Sequence, residues 1–352
     1  MAAIAVVAAA DDSWPWTKKC RALTMSGGGS FGAYEAGVLY GLVENANNEK
    51  DFQWDVMSGV SAGSINSVAG ALWKKGSESD MVQWLSDTWA NVTTNEVFDN
   101  WQPNGVVTGI FTKSGVFNDT PGFEWGTKIV ESAGGVAHRM FEAACVNANN
   151  GQYTTFNETV PLVKAAISSS SIPAAFPYTK WSDYDGKDVI CIDGGSVWNV
   201  NVPSAIDRCR NEGFEDENII VDIVLCNAAQ AVGFDWEDRD NSVANLEHYK
   251  RIKKRTTNMN NIAEFMSAYP KVDFRYLIMP QEEMPGGLSW MIFDNDTVTW
   301  DVQMIGRKDG ARAVKQGPGA VFNRIREWLY DGAIQASHPN LERYALEFLH
   351  GN

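Results

Sequence analysis

Histidine is scarce in this 352-residue chain, which has four: His138, His248, His338 and His350. None follows a strand-like run into a glycine turn, where a sheet could hold a base firmly, so a histidine-centred triad has little support. His338 alone keeps the serine–acid–histidine order of a hydrolase triad and stays in reserve. Basic charge is also short. Lys and Arg number 29 against 44 Asp and Glu, a net charge of −15, which argues against a nucleic-acid partner because phosphate backbones need clustered cations. A neutral lipid surface, engaged through apolar and aromatic contacts, remains open. No apolar run approaches the ~18 residues needed to span a bilayer, so no transmembrane segment is expected. The five cysteines, Cys20, Cys145, Cys191, Cys209 and Cys226, are odd in number and lack zinc-like spacing. Cys145, Cys191 and Cys226 lie in strand-like runs, where a buried free thiol is the usual reading, and no disulfide framework is implied. Neither a metal nor a cofactor is expected, since no ligand cluster is visible.

What is present is an ordinary globular balance of 44% hydrophobic and 21% charged residues, enough to bury a large core. Most of the 14 tryptophans are expected in that core, with a lipid-facing cluster as the alternative. Residues 1–18 read as an N-terminal extension whose apolar start resembles the tail of a secretory signal, though no basic residue precedes it. Asn91, Asn118, Asn157 and Asn295 each begin an Asn-x-Thr sequon, mild support for secretion. Secreted and cytoplasmic settings both stay open. Residues 19–352 read as one domain without repeats or linkers.

Strand-like runs at Cys20–Met25, 56–57, 189–192, 219–225 and 274–279 alternate with helical spacing after Ala33, from 65 to 89, from 160 to 168 and near 307–315 and 320–335. A hairpin is expected over 139–160, turning at Asn149-Asn150-Gly151. Residues 90–125 and 280–300 read as loops, and the glycine- and proline-rich stretches 100–125 and 280–300 are candidates for an acyl groove or lid. The basic run Lys250 to Arg255 reads as a solvated helix face. This alternation predicts an α/β fold with a mostly parallel central sheet flanked by helices.

Two stretches match Gly-x-Ser-x-Gly. Gly59-Val60-Ser61-Ala62-Gly63 follows a short apolar run and precedes small residues able to begin a helix, the order of a nucleophile elbow. Gly28-Gly29-Ser30-Phe31-Gly32 fits the same pattern. It also satisfies Gly-x-Gly-x-x-Gly through Gly27, Gly29 and Gly32, with Asp55 about where a ribose-binding acid falls. A nucleotide site is disfavoured because Asp55 precedes its strand instead of ending it. The row Gly27-Gly28-Gly29 suits an anion cradle of exposed amides, with Ser30 as the N-cap of the next helix and Ser61 as nucleophile. Asp193 ends an apolar strand before Gly194-Gly195 and is the better candidate for the base, provided burial raises its pKa from about 3.9.

Together, the run from Gly27 to Leu39, Gly59 to Gly63, Ser171-Ile172-Pro173-Ala174-Ala175-Phe176-Pro177 and Asp193-Gly194-Gly195, with Asn201 and Pro203 beyond, resemble the patatin-like phospholipases over about residues 20–205. The resemblance implies a three-layer sandwich and a Ser61–Asp193 dyad in place of a triad. It also implies an oxyanion hole from Gly27, Gly28 and Gly29, and hydrolysis of fatty-acyl esters of lipids at a membrane or micelle surface. Phe31 departs from the family pattern, which usually carries Arg or Lys there. That departure points toward neutral lipids, or toward a catalytically weak storage protein on the same fold.

Overall fold

The computed structural model describes residues 19–226 and 242–325, except positions 283, 287 and 324. In chain order it runs β1 (Cys20–Met25), α1 (Gly32–Glu44), β2 (Val56–Val60), α2 (Ala62–Ala71), α3 (Glu78–Asn91), α4 (Thr94–Val97), β3 (Asp99–Asn100), α5 (Val106–Thr112), β4 (Phe117–Asn118) and α6 (Thr120–Ser132). There follow β5 (Met140–Asn147), β6 (Tyr153–Phe156), α7 (Leu162–Ser169), β7 (Thr179–Tyr184), β8 (Lys187–Asp193), α8 (Val202–Asn211), β9 (Ile219–Val224), α9 (Ser242–Ala268), β10 (Asp273–Ile278) and α10 (Trp300–Gln316).

The central sheet has the order β10-β9-β1-β2-β5-β8-β7, with β6 also paired to β5. β10, β9, β1, β2 and β5 are mutually parallel, while β6, β7 and β8 join antiparallel. Strands buried on both faces read as continuous apolar runs, and β1, β2 and β9 are buried at every position. Alternate side chains serve two layers. Leu23, Met25 and Met57 pack with α1, α3 and α10. Ala22, Val56, Val221 and Phe274 pack with α8 and α9 on the opposite face. Phe141, Ala143 and Cys145 continue the first layer against α2 and α7.

Helix α1 meets α10 backbone to backbone. A Cβ at Gly37 would lie 2.2 Å from the Gln303 carbonyl oxygen, and one at Gly306 would lie 2.1 Å from that of Tyr34. Tyr34 Oη also donates to Asp309 Oδ2 at 3.0 Å. Because α1 starts directly behind the glycine row, this clamp fixes that row from behind.

Several expectations change. The span 90–125 holds the end of α3, all of α4 and α5, the start of α6 and a two-stranded ribbon, β3–β4; Gly109 there serves a close approach against the Val116 carbonyl. The predicted helix over 65–89 is two helices, and α10 begins seven residues before Arg307. The predicted final helix lies mostly beyond the described residues. Cys20–Cys209 and Cys145–Cys191 are disulfides and Cys226 alone is a buried free thiol, correcting the reading of free thiols at 145 and 191. The pairs are 189 and 46 residues apart in sequence, so only the packing of α8 on β1 and of β8 on β5 brings them together. Among the described tryptophans only Trp300 is exposed, so they form no lipid-facing cluster. Within the described residues no helix is long and apolar enough to cross a membrane.

Alkylation of the denatured, unreduced protein is expected to modify one cysteine, Cys226, as read by intact mass; three or more modified thiols would contradict the pairing. Gly306→Val should lower stability by about 1–3 kcal/mol through overpacking of the α1–α10 contact, measured by thermal melting.

Candidate active site

Ser61 stands on the turn between β2 and α2 with φ 54° and ψ −123°, a conformation that costs a non-glycine residue energy and persists only when its surroundings enforce it. They do so through glycine. A Cβ at Gly59 would lie 2.0 Å from the Gly63 carbonyl oxygen, and one at Gly63 would lie 2.4 Å from that of Met25. No side chain fits either place. The Ser61 N–H donates to Ser169 Oγ at 2.8 Å, and Ser169 in turn donates to the Ala144 carbonyl. The elbow is thereby anchored to β5.

Register sets the partner. Val60 pairs with Ala144 and Cys145 pairs with Asp193, so Ser61 and Asp193 fall level with each other across β5. β8 runs antiparallel to β5 and pairs with it only over its last residues, which brings a strand of the unexpected direction to the carboxyl ends of the parallel set. Asp193 is 6% exposed and Ser61 4%. Burial pushes the Asp193 carboxyl up to about 6, against the opposing hydrogen bonds from the Ser61 hydroxyl and the Gly195 amide and the more distant charge of Lys254. The Gly195 N–H donates to Asp193 Oδ1 at 2.7 Å and fixes the carboxyl orientation.

The glycine row borders the same space. The Gly27 N–H donates to the Asn199 carbonyl at 3.1 Å, so that amide is engaged internally. The amides of Gly28 and Gly29 meet no acceptor among the described residues. Gly29 takes φ 61°, and its Cβ position would lie 2.2 Å from the Trp290 carbonyl oxygen. Ser30 is not a helix N-cap as expected: its hydroxyl donates to the Ser289 carbonyl at 2.9 Å, tying the row to the segment around Trp290. Below the row lies Glu35, fully buried, whose carboxyl is held well above the usual carboxylate range by burial. It accepts from Asn66 Nδ2 at 3.0 Å.

Two cavities meet at Ser61. One, about 120 Å³, is almost wholly apolar, lined by Leu72, Leu85, Trp125, Ile129, Val163 and Phe293 among others. The other, about 460 Å³, contains the glycine row, Phe31, Asp193, Asn199, Lys250, Lys254 and Trp290. Ile172 and Pro173 of the segment before β7 wall it as well, and Ala174 at φ 69° pairs with Gly115. The segments suggested as groove or lid, 100–125 and 280–300, thus contribute Asp119 and Gly122 to the first cavity and Pro285, Leu288 and Trp290 to the second.

Other candidates are elsewhere. His138 is exposed and precedes β5, at the end of the sheet away from Ser61. His338 and His350 lie outside the described residues, and the side chain of His248 does too. Asp55 accepts from the Arg21 amide at 2.9 Å and pairs with Lys75, at the opposite end of β2 from the glycine row, which removes the nucleotide reading. Among the described residues no group of side chains could hold a metal ion. Sequence reasoning missed Asn199, whose Nδ2 donates to the Gly27 carbonyl at 3.2 Å and whose Oδ1 abuts Gly195, bridging the two turns. It missed Ser169 too. The run Ser168 to Ser171 was a visible signal for the latter; nothing marked Asn199. Asn201, noted in sequence, receives the Ser58 hydroxyl on its carbonyl at 2.9 Å.

Among solved structures the chain is similar to VipD from Legionella pneumophila, at 12% identity and a TM-score of 0.39, covering 86% of this chain and 67% of that one. It is also similar to full-length ExoU in complex with SpcU, from the type III secretion system of Pseudomonas aeruginosa, at 12% identity and a TM-score of 0.35, covering 85% of this chain and 53% of that one. Comparison with curated protein sequences finds no match. The family model described as patatin-like phospholipase matches residues 23–206, a span that takes in the glycine row, the Ser61 turn and Asp193, and the chain belongs to that family.

Proposed function

We propose that this protein hydrolyses fatty-acyl esters of lipids through a Ser61–Asp193 dyad. The observation that carries the reading is the Ser61 hydroxyl, held on a strained turn against a buried carboxyl, where an apolar cavity meets a polar one. The acyl chain occupies the apolar cavity and the remainder of the lipid the larger one. Ser61 Oγ attacks the ester carbonyl carbon while its proton passes to the Asp193 carboxylate. The amides of Gly28 and Gly29 donate to the oxyanion; Gly27 shapes the row while its own N–H stays with Asn199. Asp193 returns the proton to the departing alcohol, leaving an acyl-Ser61 ester. Water then attacks that ester with Asp193 again as base; the bond to Ser61 Oγ breaks, Asp193 returns the proton to Oγ, and the fatty acid leaves.

A carboxylate near its ordinary pKa is a weak base, and here burial supplies the difference. A second reading, a catalytically weak storage protein on the same fold, draws support from Phe31, which brings no charge to the cavity wall.

A fluorophosphonate probe should label the wild type and not Ser61→Ala; a folded wild type that resists labelling at every pH would favour the second reading. Asp193 must be ionised to act, so kcat/KM should rise with pH to a plateau above about 6 and fall tenfold per unit below it. Asp193→Asn should lower kcat by about 10²-fold or more and remove that limb. The same change bears on stability. The folded pKa, about 6, exceeds the unfolded value near 3.8, so ionisation opposes folding as pH climbs through that window. Relative to wild type, Asp193→Asn should be equally stable below pH ~4 and more stable above pH ~6, by up to roughly 3 kcal/mol. Thermal melts at pH 3.5 and 7.5 check the sign.

A further inference from the structure

The larger cavity carries charge of one sign beyond its base. Of the described residues that line it, Asp193, Lys250 and Lys254 alone are ionic. The two lysines stand one turn apart on α9, the spacing that places side chains on one helical face. Neither forms an ion pair among the described residues. Both are exposed, as the sequence expectation of a solvated basic face has it, and both also border the larger cavity. Within the same run Arg255 is 9% exposed and Lys253 is exposed like Lys250 and Lys254, but of these only Lys250 and Lys254 border the space that holds Ser61. Two ammonium groups in the cavity of a chain with a net charge of −15 are not explained by general surface composition. Nor does the ester chemistry consume them, because Ser61, Asp193 and two backbone amides complete it.

We propose that Lys250 and Lys254 form a subsite for a net-negative phosphate on the substrate, and select anionic acyl lipids over zwitterionic and neutral ones. The inference rests on the Ser61–Asp193 hydrolase reading and deepens it. The chemistry is direct. Asp193 and the glycine row stand at the ester, the apolar cavity takes the acyl chain, and the lysines border the space left for the head group. Ammonium groups bind phosphate oxygens through charge-assisted hydrogen bonds. Each contact is partly exposed, so each is worth much less than a buried pair. A phosphomonoester offers several oxygens and up to two charges to both lysines. A choline head group cancels the phosphate charge and presents its own cation to the lysines, and a glycerol offers no charge. Phe31 brings no charge to the lining, so discrimination falls to α9. This reverses the expectation that an uncharged position 31 shifts the enzyme toward neutral lipids.

The test uses monomeric lysolipids with one acyl chain: lysophosphatidate, lysophosphatidylcholine and monoacylglycerol, each below its aggregation threshold so that surface charge plays no part. Wild type should prefer lysophosphatidate in kcat/KM. Lys250→Gln and Lys254→Gln should each reduce its kcat/KM relative to monoacylglycerol by about tenfold, mainly through KM, and the double variant should reduce it further. Lys250→Arg and Lys254→Arg, which keep the charge, should retain most of the preference. Melting temperatures and fluorophosphonate labelling of Ser61 accompany every variant. A wild type that labels and turns over all three lipids without preferring lysophosphatidate, or a double Gln variant that labels and keeps the preference, overturns the subsite and leaves the hydrolase intact. Absence of both labelling and turnover in folded wild type overturns the hydrolase reading, and the subsite with it. Inorganic phosphate that protects Ser61 from the probe as well as lysophosphatidate does would overturn the assignment to lipid in favour of a free-phosphate site.

Discussion

Backbone crowding around the Ser61 turn is the constraint on which the rest depends. Gly59 and Gly63 approach other backbone atoms so closely that a single added carbon would overlap them. Gly63, the second residue of α2, therefore sits directly over the end of β1, and the Ser61 hydroxyl is driven out of the sheet at a positive φ. Such strain needs surroundings that over-determine it. The anchors come from distant chain: Ser169 holds the Ser61 amide, and the sheet register fixes Asp193 level with it. The Cys145–Cys191 disulfide staples the same two strands whose pairing sets that level. A flexible turn would leave the hydroxyl in several positions, and the buried carboxyl would face no consistent donor.

What the sequence disclosed follows from how local each feature is. The turns at Gly27 to Gly32, Gly59 to Gly63 and Asp193 to Gly195 are legible because glycine is needed within a few residues of the group it serves. Buried strands such as 219–225 are legible because burial on both faces admits only apolar residues. The short helices between 90 and 132 were hidden, since their glycines and prolines read as loop; in the structure Gly109 and Gly122 instead allow close backbone approach. Asn199 and the disulfides were hidden for another reason. Asn199 meets Gly27 across 172 residues of sequence, and no spacing encodes a contact that exists only after the sheet has formed. The basic run on α9 was visible as charge and its lysines are exposed as expected, but that Lys250 and Lys254 border the cavity depends on where α9 packs.

Among the described residues no histidine stands near Ser61, and these contacts give that physical content. A carboxyl can accept a serine proton usefully only if its ionised form is made costly, and burial does so here. Three influences oppose burial: the Ser61 hydroxyl, the Gly195 amide and the charge of Lys254. Hydrogen bonds from the first two orient the carboxyl while stabilising its anion, so they trade some basicity for geometry. Lys254 differs in kind. A direct ion pair with Asp193 would carry the pKa back toward or below its ordinary value and leave a poor base. Lys254 forms no such pair and acts only through the field across the cavity. On the proposed reading, a cation that is not paired with Asp193 can meet a substrate anion without neutralising the base. On the proposed reading an uncharged Phe31 need not disarm the site, because Lys250 and Lys254 on α9 border the same cavity and can serve the head group in place of a cation beside the glycine row.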